Sequence, residues 1–127
     1  MKIAEMVYEL IKCRDDVTYA DLEDIFDILK IKWEGSNEIV SGENENVIFW
    51  TGWSEEAIEI VNYLQREGFL EKKLGSFLHY LLIGKIMLIP VVREFREYKT
   101  PHWLPLAFTV NKNAIKDKQG IYEPMIF

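Results

Sequence analysis

Cysteine and histidine are scarce in this chain of 127 residues, which has one cysteine and two histidines. A lone Cys13 cannot form an intramolecular disulfide, and it fits a reducing compartment. Together with His79 and His102 it cannot complete a zinc site without carboxylates, and the spacing matches no known ligand set. No motif joins a nucleophile to a base and an oxyanion stabiliser, and no phosphate-binding glycine loop is present. The sequence therefore predicts no metal, no cofactor and no enzyme activity.

Long apolar runs are also missing. No stretch approaches the roughly 20 apolar residues that span a bilayer. The N-terminal 16 residues space their apolar side chains as a helix does, and Glu5 and Glu9 interrupt them, unlike the core of a signal peptide. We therefore expect a cytoplasmic protein without membrane contact.

What the chain does have is apolar content sufficient for a core. Hydrophobic residues make up 49% of it, and a chain of this length can bury a core without disulfides or metals. We expect a single domain over residues 1–127. Within it we expect a helical N-terminal part over 1–30, a strand–helix–hairpin core over 46–110 and a C-terminal tail over 111–127.

The central stretch, residues 46–73, carries the clearest pattern. The apolar run Val47–Trp50 is typical of a buried strand, and Ser54 is a good helix N-cap. A helix over residues 54–67 should end at Gly68, because glycine adopts the left-handed C-cap conformation at little cost, and a strand should follow over 69–73. The predicted buried face has the spacing of one helix face and consists of Ala57, Ile60, Val61 and Leu64.

The flanking segments predict further elements. Helical spacing indicates a helix over residues 2–13, and Thr18 with Asp21 resembles a capping box that begins a second helix. Residues 31–34 and 38–40 can pair briefly across a turn. The apolar residues 77–92 predict a hairpin that turns near Gly84–Lys85. The alternation from Leu104 to Val110 indicates a strand with one buried face.

Together, the strand, the capped helix, the second strand and the hairpin resemble a winged-helix domain over residues 46–92. The resemblance implies an α+β fold of about three helices packed on a small antiparallel sheet, with a β-hairpin wing. Winged helices place two helices after their first strand, whereas two helices precede Val47 here. The topology is therefore either a variant, or an extra N-terminal helix precedes a truncated motif. The outward face of the central helix also carries Glu55 and Glu59, which disfavours contact with phosphates.

Charge is distributed unevenly along the chain. The net charge is −6; residues 1–46 hold 12 acids and 5 bases, whereas residues 71–118 hold 4 acids and 9 bases. Phe95 and Tyr98 alternate with bases, a pattern that binds nucleic acid by phosphate contact and stacking but also occurs in an amphipathic strand with core aromatics. Our first hypothesis is thus a non-catalytic, winged-helix-like, regulatory or nucleic-acid-associated protein. Its predicted contacts are Lys72, Lys73, Lys85, Arg93, Arg96 and Lys99.

The second hypothesis is a protein-interaction module or homodimeric adaptor. It would use the acidic helices, the corner formed by residues 100–105 and the apolar C-terminus. The corner holds His102 and Trp103, which are either an exposed recognition pair or part of a packed turn. His79, inside the apolar segment 77–92, is expected to be a core histidine. The predicted partner-binding residues are His102, Trp103, Met125, Ile126 and Phe127.

Overall fold

The computed structural model describes residues 1–113. In this part of the chain the fold is mixed α+β, with four helices and two small sheets. The elements in chain order are α1 (Lys2–Ile11), β1 (Asp16–Thr18), α2 (Tyr19–Ile28), β2 (Glu34–Val40), β3 (Val47–Trp53), α3 (Glu55–Arg66), β4 (Leu70–Leu74), α4 (Phe77–Ile83), β5 (His102–Trp103) and β6 (Leu106–Val110).

Side-chain caps define where the helices begin. The Thr18 hydroxyl accepts from the backbone N–H of Asp21, and the Asp21 carboxylate accepts from the backbone N–H of Thr18, so the predicted capping box is confirmed. The Ser54 hydroxyl accepts from the N–H of Ala57 at the start of α3. Gly68 follows α3 at φ +82°, as its role in ending the helix requires.

The first sheet has the strand order β1–β6–β4 and is antiparallel throughout. Phe108 in the central strand pairs with Val17 on one side and with Lys72 on the other. β1 is only three residues long, and it was not predicted from the sequence because so short a strand has no measurable alternation.

The second sheet has the order β2–β3–β5. β3 pairs antiparallel with β2 and parallel with β5. The expected local pairing of residues 31–34 with 38–40 is wrong, because Glu34–Val40 forms one irregular strand alongside β3. β3 is seven residues long, and it therefore offers β2 more backbone partners than the short local turn would.

Helices and sheets share one core. The face of α3 formed by Ala57, Ile60, Val61 and Leu64 is buried as predicted, and α1 packs against this helix. The core is rich in aromatics; its largest fully buried side chains include Trp53, Trp103, Tyr8, Tyr19, Tyr80 and Phe108.

The predicted hairpin over residues 77–92 is wrong. Phe77–Ile83 is the helix α4, and the chain from Gly84 to Thr100 contains no regular strand pair. An apolar run that is hydrophobic on both faces does not distinguish a strand from a helix. The residues at the two ends of this run do distinguish them, because they are helix-capping residues. Ser76 caps the helix by accepting from the N–H of His79, and Gly84 ends it at φ +85°. The strand–helix–hairpin core expected over residues 46–110 therefore contains α4 in place of its hairpin.

Candidate interaction surface

Tyr80 is the one buried residue of α4, and the Phe77 ring and Ile83 also contact the core. Tyr80 is fully buried, its hydroxyl donates to the Leu106 carbonyl at 2.6 Å, and it accepts from the backbone N–H of Tyr19 at 3.3 Å. Burial raises the pKa of Tyr80 above its ordinary value of 10.0, so the hydroxyl stays protonated and able to donate. Because this side chain points inward, the opposite side of α4 faces outward.

The outward side of α4 is apolar. Leu78 and Leu82 lie one turn apart, as do Phe77 and Leu81, so the four side chains form a single face. All four are exposed, and Leu82 is 88% exposed. A helix face of this composition is normally buried against another element. Here only the Phe77 side of the face has a described ring contact, with Trp103 of β5, whereas Leu78 and Leu82 are 64% and 88% exposed.

The segment after α4 is held by a buried carboxylate. Lys85 Nζ donates to Oε1 of Glu23 at 2.7 Å, and Oε2 of Glu23 accepts from the indole N–H groups of Trp50 and Trp53 at 2.8 and 2.9 Å. Partial burial pulls the pKa of Lys85 down. The hydrogen bond and charge of Glu23, aided by Asp24 and Asp27, outweigh that effect, so the pKa is raised. Lys85 therefore attaches the end of α4 to α2.

Phe95 extends the apolar face beyond α4. Val92 N–H donates to the Trp103 carbonyl, and Trp103 N–H donates to the Pro90 carbonyl, both at 2.8 Å. These bonds hold the segment against β5 while Phe95 remains 81% exposed. Leu74, Phe77 and Phe95 line one shallow depression of about 290 Å³. We call the following set the α4 surface: Leu74, Phe77, Leu78, Leu81, Leu82 and Phe95.

A larger groove lies on the other side of Phe95. Its volume is about 540 Å³, and its lining includes Val47, Phe49 and Leu104. Asn46 Nδ2 donates to the Tyr98 carbonyl at 2.9 Å, which ties the turn before β3 to the 92–98 segment. The rim holds acids and Arg96, whose Nε lies 3.1 Å from Glu94, and we assign it no ligand.

The predicted basic contacts do not form one surface. Lys72 and Lys73 alternate along β4, so Lys72 lies over the Phe49 ring while Lys73 pairs with Asp16 on the other face. Lys85 pairs with acids of α2. Among the described residues, the bases of this set without an ion pair are Lys72, Arg93 and Lys99.

The aromatics of the 93–99 segment behave differently from one another. The segment forms no strand. Tyr98 is buried, donates its hydroxyl to the Glu94 carbonyl at 2.8 Å and contacts the His102 ring with centroids 4.0 Å apart and the ring planes tilted by 32°. Tyr98 is thus a core aromatic, as the structural alternative predicted, whereas Phe95 is exposed.

The other predicted positions lie in several places. Trp103 is fully buried, so the corner is packed and His102 is only partly exposed.

The expectation of a core histidine at position 79 is wrong: His79 is on α4, partly exposed, with Nε2 3.3 Å from Asp21 Oδ2. Cys13 is exposed just beyond α1. Met125, Ile126 and Phe127 lie outside the described residues. The exposed apolar face of α4 was not predicted from the sequence, because residues 77–92 were expected to form a hairpin.

Within residues 1–113, no group of three or more potential ligand side chains is arranged to hold a metal ion. No helix in this part of the chain has both the length and the apolar character that crossing a bilayer requires. In comparisons with known proteins, no family model matches the chain, and no curated protein or solved structure matches it either.

Proposed function

We propose that the chain is a protein-interaction module on a winged-helix-type scaffold, and that it binds protein through the α4 surface. The observation that carries the proposal is the exposed apolar face of α4, continued by Leu74 and Phe95. The largest apolar patch on a typical monomer is about 300–600 Å² and is often functional, and larger patches mark interaction sites.

Element order supports the winged-helix part of the proposal. β1 precedes α2 and α3, which supplies the first strand followed by two helices that such a domain requires. The sheet order β1–β6–β4 is antiparallel, and the chain between β4 and β6 takes the position of a wing. That chain contains α4 instead of a plain hairpin, and the β2–β3 pair is an addition between α2 and α3.

The charge of α3 favours protein over nucleic acid as the partner. In a DNA-binding winged helix this helix would enter the major groove. Its exposed residues include Glu55, Glu56 and Glu59, against Arg66 as the one exposed base of the helix. Carboxylates repel phosphates, and phosphate contact supplies most non-specific affinity.

The test compares complexes in native lysate. Leu82→Glu places a charge in the centre of the α4 surface, and Leu10→Glu is the matched control, because both leucines are exposed and each is the penultimate residue of its helix. We expect the wild type and Leu10→Glu to migrate in native gel filtration as a complex larger than one chain, and Leu82→Glu to migrate as a monomer. Identical migration of all three proteins would refute the proposal.

A second candidate function is nucleic-acid association. It is favoured by three exposed bases that lack an ion pair among the described residues, namely Lys72, Arg93 and Lys99. Each phosphate contact should contribute a slope of about −0.9 to log affinity against log salt on duplex DNA. Changing Lys72, Arg93 and Lys99 to alanine should flatten that slope by up to about three contacts and weaken binding equally on all sequences. Absence of binding to duplex and single-stranded DNA at low salt removes this candidate.

A further inference from the structure

We infer that the partner of the α4 surface is a second copy of this chain, related to the first by a two-fold axis. The inference rests on the proposed function and names its partner. In a two-fold interface the same patch serves both protomers, so it must be complementary to itself. An apolar face meets this condition directly, because burying it against an identical face leaves no polar group without a partner.

The exposed area fits an interface between two small proteins. The six residues of the α4 surface are between 39% and 88% exposed, which corresponds to an accessible area, backbone included, on the order of 700 Å². A standard interface buries about 800 Å² on each partner. Exposed side chains on the following segment, Ile86 and Leu88, supply additional apolar area.

Charge at this surface does not oppose an identical partner. Residues 74–95 contain two bases, Lys85 and Arg93, and one acid, Glu94, although the whole chain carries −6. Two copies can therefore approach through this segment with little repulsion. Arg93 and Glu94 both line the depression beside Phe95, and Arg93 has no ion pair among the described residues. In a two-fold arrangement Arg93 of each copy can join the pair that Glu94 of the other copy forms with its own Arg96.

Sedimentation of the purified full-length chain tests the inference. We expect the wild type to dimerise between about 1 and 100 µM, since interfaces of this size reach micromolar affinity or better. Leu82→Glu should raise the dimer Kd about tenfold or more, as expected for a central apolar contact. Leu10→Glu should leave it unchanged. Leu82 is 88% exposed, so the substitution should not prevent folding, and far-UV circular dichroism checks this.

Thiol reactivity distinguishes the possible occupants. In a Cys13→Ser background, Leu82→Cys should react with a thiol reagent more slowly as protein concentration rises, whereas Glu59→Cys on the outward face of α3 should react at a constant rate. Protection of Leu82→Cys at every concentration would mean that the same chain covers α4, and it would overturn the second copy as the partner. Reaction at a constant high rate would overturn it as well.

The two proposals fail separately. If the purified wild type is monomeric at about 100 µM while its complex in lysate is lost in Leu82→Glu, the partner is a different protein and only the dimer is refuted. If Leu82→Glu changes neither measurement, both proposals are refuted.

Discussion

At the scale of single residues, the buried carboxylate of Glu23 accepts hydrogen bonds from three side chains on two other parts of the fold. It is 3% exposed, and buried carboxylates persist only when their oxygens are fully hydrogen-bonded. One oxygen accepts from the two indoles of β3 and the other from Lys85, so a single side chain links α2, β3 and the end of α4. The same carboxylate therefore holds both the indoles of the aromatic core and the end of α4 in place.

Replacing Glu23 tests this role. Glu23→Leu leaves the indole N–H groups of Trp50 and Trp53 without an acceptor, and two unsatisfied buried donors should lower the free energy of unfolding by about 2–5 kcal/mol. Glu23→Gln keeps an acceptor oxygen for the indoles, so it should cost about 1 kcal/mol. Urea unfolding followed by circular dichroism measures both. Equal stability of the two variants would show that the indole hydrogen bonds contribute little.

At the scale of elements, α3 is the part of the fold that the sequence predicted best. Its cap, its end and its buried face all depend on neighbouring residues, so local pattern was sufficient.

Leu64 is fully buried, and Leu64→Ala should lower the free energy of unfolding by about 2–5 kcal/mol through lost burial and a cavity. Asn62→Ala, at an exposed position of the same helix, should change it by less than about 0.5 kcal/mol. Thermal and urea unfolding compare the two variants, and an unchanged Leu64→Ala protein would contradict this packing.

The elements around α3 were harder to predict because distant residues decide them. β1 exists through pairing with β6, about 90 residues later, and no local signal reports such a partner. α4 was predicted as a strand because its apolar run gave no period, although Ser76 and Gly84 mark the ends of a short helix. The α4 surface could have been found by weighing those two signals against the apolar run. The ion pair between Lys85 and Glu23 could not have been predicted in this way, since it depends on the final packing.

At the scale of the whole molecule, the chain is acidic, whereas the segment that carries the α4 surface is almost neutral. The net charge of −6 opposes association of two copies, and it equally opposes association with nucleic acid. Burial of apolar area at about 25 cal/mol per Å² outweighs the rim pairs between Arg93 and Glu94, which as exposed ion pairs contribute at most about 1 kcal/mol each. The dimer should therefore be stabilised by burial and weakened by the long-range repulsion between its protomers.

Added salt should change the affinity for the two candidate partners, a second copy and nucleic acid, in opposite directions. The screening length shrinks from about 10 Å at 0.1 M salt to about 3 Å at 1 M, so added salt should suppress the repulsion between protomers while leaving the apolar contact intact. We therefore expect the dimer Kd to fall between these salt concentrations when measured by sedimentation. Nucleic-acid binding should respond in the opposite direction, because salt opposes counterion release. The double variant Glu55→Lys and Glu59→Lys makes the net charge less negative by four, and it should strengthen the dimer at low salt and have little effect at high salt. A dimer that weakens steeply with salt would show that ion pairs, not the apolar face of α4, hold the two copies together.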